Sequence, residues 1–132
     1  MKLIDKPAWI EIENNSILLT KSYGKDKYYI PGGKREIGET DEQALIREIY
    51  EELSVTVDKS TLTFIGIFEA QAHGQPEGVF VKMTCYSGDY SGELKASSEI
   101  EEIEWFDYSD RDKVVEVDKL IFDHLKQNKL LK

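Results

Sequence analysis

An α+β fold, with helices packed on a mixed or antiparallel sheet, is what this 132-residue sequence predicts. Three observations predict it. Two strand-like segments flank Asn14-Asn15, a helical stripe of Leu45, Ile49 and Leu53 recurs at four-residue spacing, and a second stripe follows at Val117, Leu120, Ile121 and Leu125. The chain therefore reads as strands, helix, strands, helix, an order that places helices on a sheet rather than weaving them between parallel strands.

Taken in order, residues 8–13 and 16–22 read as the first two strands, joined where Asn14-Asn15 tolerates the left-handed backbone of a tight hairpin. Tyr28-Tyr29-Ile30 reads as a short third strand ending at Pro31-Gly32-Gly33, which must be a turn. From Thr40 the period lengthens to that of a helix running through about Leu53, with Thr40 or Asp41 as its N-cap. Residues 62–72 and 79–86 are apolar runs around Gly74-Gln75-Pro76-Glu77-Gly78, the pattern of a long antiparallel hairpin. Residues 102–107 form one more strand before the closing helix. No repeat or linker divides the chain, so residues 1–132 are expected to form one domain.

Composition narrows the function. The chain is 40% hydrophobic and 33% charged, values of a soluble globular protein, and it contains no apolar run long enough for a membrane span. Charges interrupt the apolar residues of Met1 to Pro7, so no signal peptide is read and the expected location is the cytoplasm. Cys85 is the single cysteine, which leaves no intrachain disulfide, and its apolar surroundings predict a packed thiol. A net charge of −9 argues against long nucleic acid as a partner. A short polyphosphate remains compatible, because Lys21, Lys25, Lys27, Lys34 and Arg35 cluster against Asp26 alone.

The chemistry concentrates in the first helix. Glu48, Glu51 and Glu52 stand at i, i+3 and i+4, so their carboxylates leave one face about a turn apart. Such carboxylates repel each other unless a cation lies between them, and an oxygen-rich site of this kind suits magnesium, which retains waters and takes substrate phosphate oxygens. Gly32, Gly33 and Gly38 set permissive backbone beside that helix.

Gly33, Glu39, Arg47, Glu48, Ile49, Glu51, Glu52 and Val55 stand in the register of the Nudix box, and residues 33–55 resemble that motif. Six of its seven fixed identities are met, a coincidence on the order of one in ten thousand by chance. Ser54 stands where the box has its second glycine, just past the helix, where a left-handed turn is common. The resemblance implies a Nudix-type α/β/α sandwich and a hydrolase dependent on magnesium, with manganese as the alternative.

It also implies residue roles. Glu48, Glu51 and Glu52 would bind the metal together with the Gly33 carbonyl, Glu39 would reach it through water, and Arg47 would hold the carboxylates in place. Glu52 is the first candidate for the general base. Glu99 is the candidate outside the box, with Glu101 and Glu102 as neighbours able to serve. Lys34 and Arg35 are expected at the phosphates. Phe68, Gln71, His73 and Tyr86 are candidates for a base pocket, whereas His124 reads as a surface residue.

The subgroup signatures narrow the substrate. Ala70 and Gln71 lie where a proline would indicate ADP-ribose, Ala72 and His73 lie where a tyrosine would indicate diadenosine polyphosphates, and Leu18-Leu19-Thr20 matches only part of a coenzyme A signature. The leading expectation is a MutT-like nucleoside triphosphate pyrophosphatase that releases monophosphate and pyrophosphate. The alternatives are a hydrolase of a nucleotide sugar, dinucleotide or capped RNA end, and a nucleotide-binding sensor without turnover. The partner expected is a small-molecule nucleotide, and a monomer or a homodimer is equally compatible.

Overall fold

Asn14 and Asn15 both adopt the left-handed backbone, with φ of 54° and 61°, and so fold Ile12–Glu13 back against Ser16 and Ile17. In the computed structural model, which describes residues 2–132, the strands β1 (Lys2–Trp9), β2 (Ile12–Glu13) and β3 (Ser16–Ser22) come first. Helix α1 (Asp41–Leu53) follows. The strands β4 (Thr56–Val57), β5 (Thr63–Gln71), β6 (Val79–Ser87), β7 (Tyr90–Ser91) and β8 (Ile100–Phe106) precede the closing helix α2 (Glu116–Gln127).

The central sheet is mixed. Its order is β1-β6-β5, with β1 parallel to β6 and β5 antiparallel to it. A second sheet, β2-β3-β8, is antiparallel, and β4 pairs with β7 alone. The predicted hairpin of residues 62–72 and 79–86 is thus the β5–β6 pair.

Two expectations need correction. The first strand was expected over residues 8–13, but β1 begins at Lys2 and ends at Trp9, and only Ile12–Glu13 pairs with β3. The alternating charges Lys2, Asp5 and Lys6 hid a strand whose partner lies more than seventy residues away. The strand expected at Tyr28-Tyr29-Ile30 is reduced to single bridges, Tyr29 to Thr20 and Tyr28 to Val114. It stops there because the Ile30 N–H donates to Asp118 Oδ2 and Pro31 has no N–H to continue a ladder.

Alternation along the strands divides the core into two layers. Ala8, Ile17, Leu19 and Cys85 face Val117, Ile121, Phe122 and Leu125 of α2, while their neighbours Trp9, Leu18 and Tyr86 face Leu45, Ile49 and Leu53 of α1. The two helices therefore cover opposite faces of the sheets, as in a three-layer sandwich. Among the described residues no helix is long and apolar enough to cross a membrane.

Candidate active site

Helix α1 starts where Thr40 accepts from the Gln43 N–H while the Gln43 side chain accepts from the Thr40 N–H, a reciprocal cap. Its apolar stripe fixes the helix on the sheet, and that orientation turns Glu52 inward. Glu52 is only 6% exposed. Carboxylate oxygens of Glu48, Glu52 and Glu99 converge to within 4.8 Å of one another, although Glu99 lies 47 residues beyond Glu52. Burial, then the charges of Glu48 and Glu99, push the Glu52 carboxyl up to about 8. Burial also raises Glu48. Oxygens held roughly 2.1 Å from a magnesium ion lie about 3–4 Å apart around it, so this trio fits a hard divalent cation with little adjustment.

Gly33 is shaped to the same purpose. A Cβ built there would fall 2.3 Å from Glu48 Cδ and 2.6 Å from its Oε2, so a larger residue would push the Glu48 carboxylate out of its present place. Gly32 is equally confined by β1, since its Cβ would fall 2.8 Å from the Ala8 Cα. Arg47 then ties the surroundings together. Its Nε and Nη2 donate to the two oxygens of Glu39 at 2.7 and 2.8 Å, its Nη1 donates to Glu48 and Glu51 at 2.9 and 3.1 Å, and its Nη2 reaches the Lys34 carbonyl at 3.1 Å. The guanidinium beside Glu39 holds that carboxyl down at about 2. Glu51 is turned out to Arg47 and lies outside the converging trio, with Glu99 in the place expected of it.

Ser54, the departure from the box, adopts the left-handed turn itself, with φ 61°. Its hydroxyl bonds the Ser97 hydroxyl at 2.8 Å, and the last carbonyls of α1, on Glu52 and Leu53, accept from the N–H groups of Ser97 and Lys95 at 2.9 Å. The end of the helix thus holds the segment that delivers Glu99. Glu101 is paired with Lys21 and Glu102 with the Tyr28 hydroxyl, which leaves Glu99 as the member of that acidic stretch facing the trio.

Beside the trio opens a cleft of about 360 Å³, large enough for a nucleotide-sized ligand. Gly33, Lys34, Glu52, Gln71, His73 and Glu99 line it. Arg35 does not, because it is spent on ion pairs with Asp5 and Asp41. Phe68 does not either: its ring packs edge-on against His124 at 5.4 Å and belongs to the α2 layer. Tyr86 faces the other layer, its hydroxyl donating to Asp41 at 3.2 Å. His73, exposed at the rim, contacts Asp26 at 3.1 Å.

Sequence reasoning missed Asp118. It lies in the first turn of α2, fully buried and lining the cleft. One oxygen accepts from the Ile30 N–H at 2.9 Å, and the other has no hydrogen-bond partner among the described residues. Burial pushes its carboxyl up to about 7. An unsatisfied carboxyl oxygen inside a protein is costly, which makes it a strong candidate for a ligand N–H. The only signal in the sequence was an acid at the third position of a helix whose apolar stripe should have continued through it.

The NUDIX domain matches residues 7–125. The chain is 33% identical over 117 residues to the ADP-ribose pyrophosphatase of Methanocaldococcus jannaschii, covering 86% of this chain and 64% of that protein. It is 45% identical over 51 residues to the 8-oxo-dGTP diphosphatase of Escherichia coli K12, covering 36% of this chain and 40% of that one. It therefore spans less than two thirds of the length of these curated relatives. In fold, it superposes on the MutT protein of Methanosarcina mazei Go1 with a TM-score of 0.78 at 17% identity, covering 97% of this chain and 96% of that one. The Escherichia coli ORF135 protein gives 0.74 at 23% identity, with 96% and 92% covered. With the domain matched over residues 7–125, the chain belongs to the Nudix family.

Proposed function

We propose that this protein is a metal-dependent hydrolase that splits a diphosphate linkage in a nucleoside diphosphate derivative, with a nucleoside triphosphate as the leading substrate and monophosphate and pyrophosphate as products. One observation carries the reading: the buried acid of α1, Glu52, and the buried acid of α2, Asp118, enter one nucleotide-sized cleft from opposite layers. The first suits phosphate chemistry. The second suits recognition of a base.

Glu48, Glu52 and Glu99 would hold a divalent cation, magnesium or manganese, with the Gly33 carbonyl as a further oxygen. Such an ion supplies charge neutralisation at the bridging phosphates and a water of lowered pKa. Glu52 takes the proton of the attacking water at a carboxylate oxygen. The water oxygen bonds to phosphorus, the bridging P–O bond breaks, and the leaving phosphate carries away its electron pair. Arg47 keeps Glu39 and Glu48 in register throughout, and Lys34 presents its charge at the cleft. Asp118 receives a base N–H at its free oxygen.

A second reading, ADP-ribose as substrate, is favoured by the Methanocaldococcus jannaschii relative, which matches most of this chain. The test is to incubate the purified protein and magnesium with nucleoside triphosphates, oxidised nucleotides, ADP-ribose, nucleotide sugars and dinucleotides in oxygen-18 water. Triphosphate turnover to monophosphate and pyrophosphate is expected, with the label marking the attacked phosphorus. Preferential cleavage of ADP-ribose would establish the second reading, and no turnover of any of them would refute both.

A further inference from the structure

Lys6 stands in an unusual place for a lysine. On β1 it shares one face with Ile4 and Ala8, and all three line or adjoin the α2 layer, paired across to Val81, Met83 and Cys85 of β6. Its neighbours in that row are apolar. The cleft nevertheless takes Lys6 into its lining, with the ammonium 5.7 Å from the centre of the Tyr29 ring, at the outer range of a cation–π contact.

Its charge reaches both Glu52 and Asp118, favouring the ionised form of each. Yet among the described residues Lys6 closes no ion pair and donates no hydrogen bond, whereas Lys21, Arg35, Arg47, Arg111, Lys113 and Lys119 each have a carboxylate partner. A half-buried cation that shares a cleft with two carboxylates and pairs with neither has donors to spare. Three acids, Glu52, Glu99 and Asp118, line the cleft against three lysines, Lys6, Lys25 and Lys34, and an anionic ligand there draws on those lysines.

We infer that Lys6 binds a phosphate oxygen of the nucleotide at the phosphate next to the nucleoside, between the acid trio and Asp118. This rests on the nucleotide reading above. The acid trio serves the linkage being cut, and Asp118 serves the base, so the intervening phosphate is the anionic group that passes the lysine. An ammonium, a point charge on a flexible stem, suits such an oxygen without demanding a fixed approach. The rival role is charge balance alone, with Lys6 offsetting its two acidic neighbours.

The two roles separate by binding in metal-free buffer containing EDTA. AMP, GMP, CMP and UMP and their four nucleosides are titrated by calorimetry into the full chain and into Lys6→Gln, Lys6→Met and Lys6→Arg, with melting curves recorded for each. Loss of a charged hydrogen bond should weaken monophosphate binding about tenfold or more in Lys6→Gln, with nucleoside binding unchanged and Lys6→Arg largely retaining affinity. Lys6→Met keeps the apolar stem on the strand face and carries the same expectation if the glutamine variant unfolds. Equal weakening for monophosphate and nucleoside, or no weakening in a wild type that does hydrolyse nucleotides, overturns the role of Lys6 and leaves the hydrolase reading standing. A wild type that neither binds nor hydrolyses any nucleotide overturns both.

Discussion

With no cation beside it, Glu52 keeps its proton up to about pH 8, because burial and the charges of Glu48 and Glu99 oppose ionisation. A ligand that compensates those charges is what makes the carboxylate available. Glu52→Gln has the same shape and no charge to bury, so it should lower metal-dependent turnover about 10³-fold or more while its melting temperature stays at or above that of wild type. Steady-state assays and melting curves check it, and unchanged turnover refutes the role. Asp118 gives a separate pH signature. Its folded carboxyl titrates at about 7, above its ordinary value of 3.8, so between these values the folded chain holds a proton that the unfolded chain has released. The contribution of Asp118 to stability should therefore fall as pH rises from about 4 to 7 and level off above, with Lys6 easing the loss, while Glu52 and Glu11, both raised to about 8, add loss of the same sign. Urea unfolding at stepped pH measures the slope, which should be shallower between pH 4 and 7 in Asp118→Asn than in wild type. Asp118 was hidden in the sequence because an acid in a first helical turn ordinarily serves the helix dipole in solvent, whereas here the side chain turns inward to Ile30.

Helix α1 is the element on which the site is mounted, and its two ends do different work. The Thr40–Gln43 cap sets where it begins, and the contacts of Ser54, Leu53 and Glu52 with residues 95–97 fasten its end to the segment bearing Glu99. Thr40→Ala should cost about 1 kcal/mol, read as a lower urea midpoint, and should leave turnover unchanged because Thr40 touches no group of the trio. This helix was legible in the sequence, since Leu45, Ile49 and Leu53 repeat with its period and all three are fully buried. The β5–β6 hairpin was legible for the same reason. What escaped was long-range: β1 hides behind Lys2, Asp5 and Lys6 because its partner β6 lies far along the chain. Glu99 was named ahead of Glu101 and Glu102, but three acids in four residues look alike until Lys21 and Tyr28 claim two of them. Phe68, expected in a pocket, shows the limit of reading an aromatic from its type: strand alternation gives it to the α2 layer.

Across the whole molecule, the net charge of −9 makes the protein an awkward host for a polyphosphate, and the structure answers by local arrangement. Lys21, Lys27 and Arg35 are engaged elsewhere by Glu101, the Asp112 carbonyl, and Asp5 with Asp41, which leaves Lys25 and Lys34 in the cleft lining together with Lys6. The acid trio brings three carboxyl groups within 4.8 Å of one another, and a cation bound there acts on the stability of the entire fold. Mass action makes this measurable: a ligand at one hundred times its dissociation constant stabilises the native state by about 2.7 kcal/mol. For a chain of this size that corresponds to a rise in melting temperature on the order of 10 °C. Magnesium should therefore raise the melting temperature in a saturable way, EDTA should reverse it, and the Glu48→Gln/Glu52→Gln double variant should melt at the same temperature with or without the ion. Sodium chloride at matched ionic strength is the decisive control, because screening of a surface this acidic also stabilises it. If magnesium does no more than the matched salt, or if the double variant responds as the wild type does, the trio is not where the ion binds.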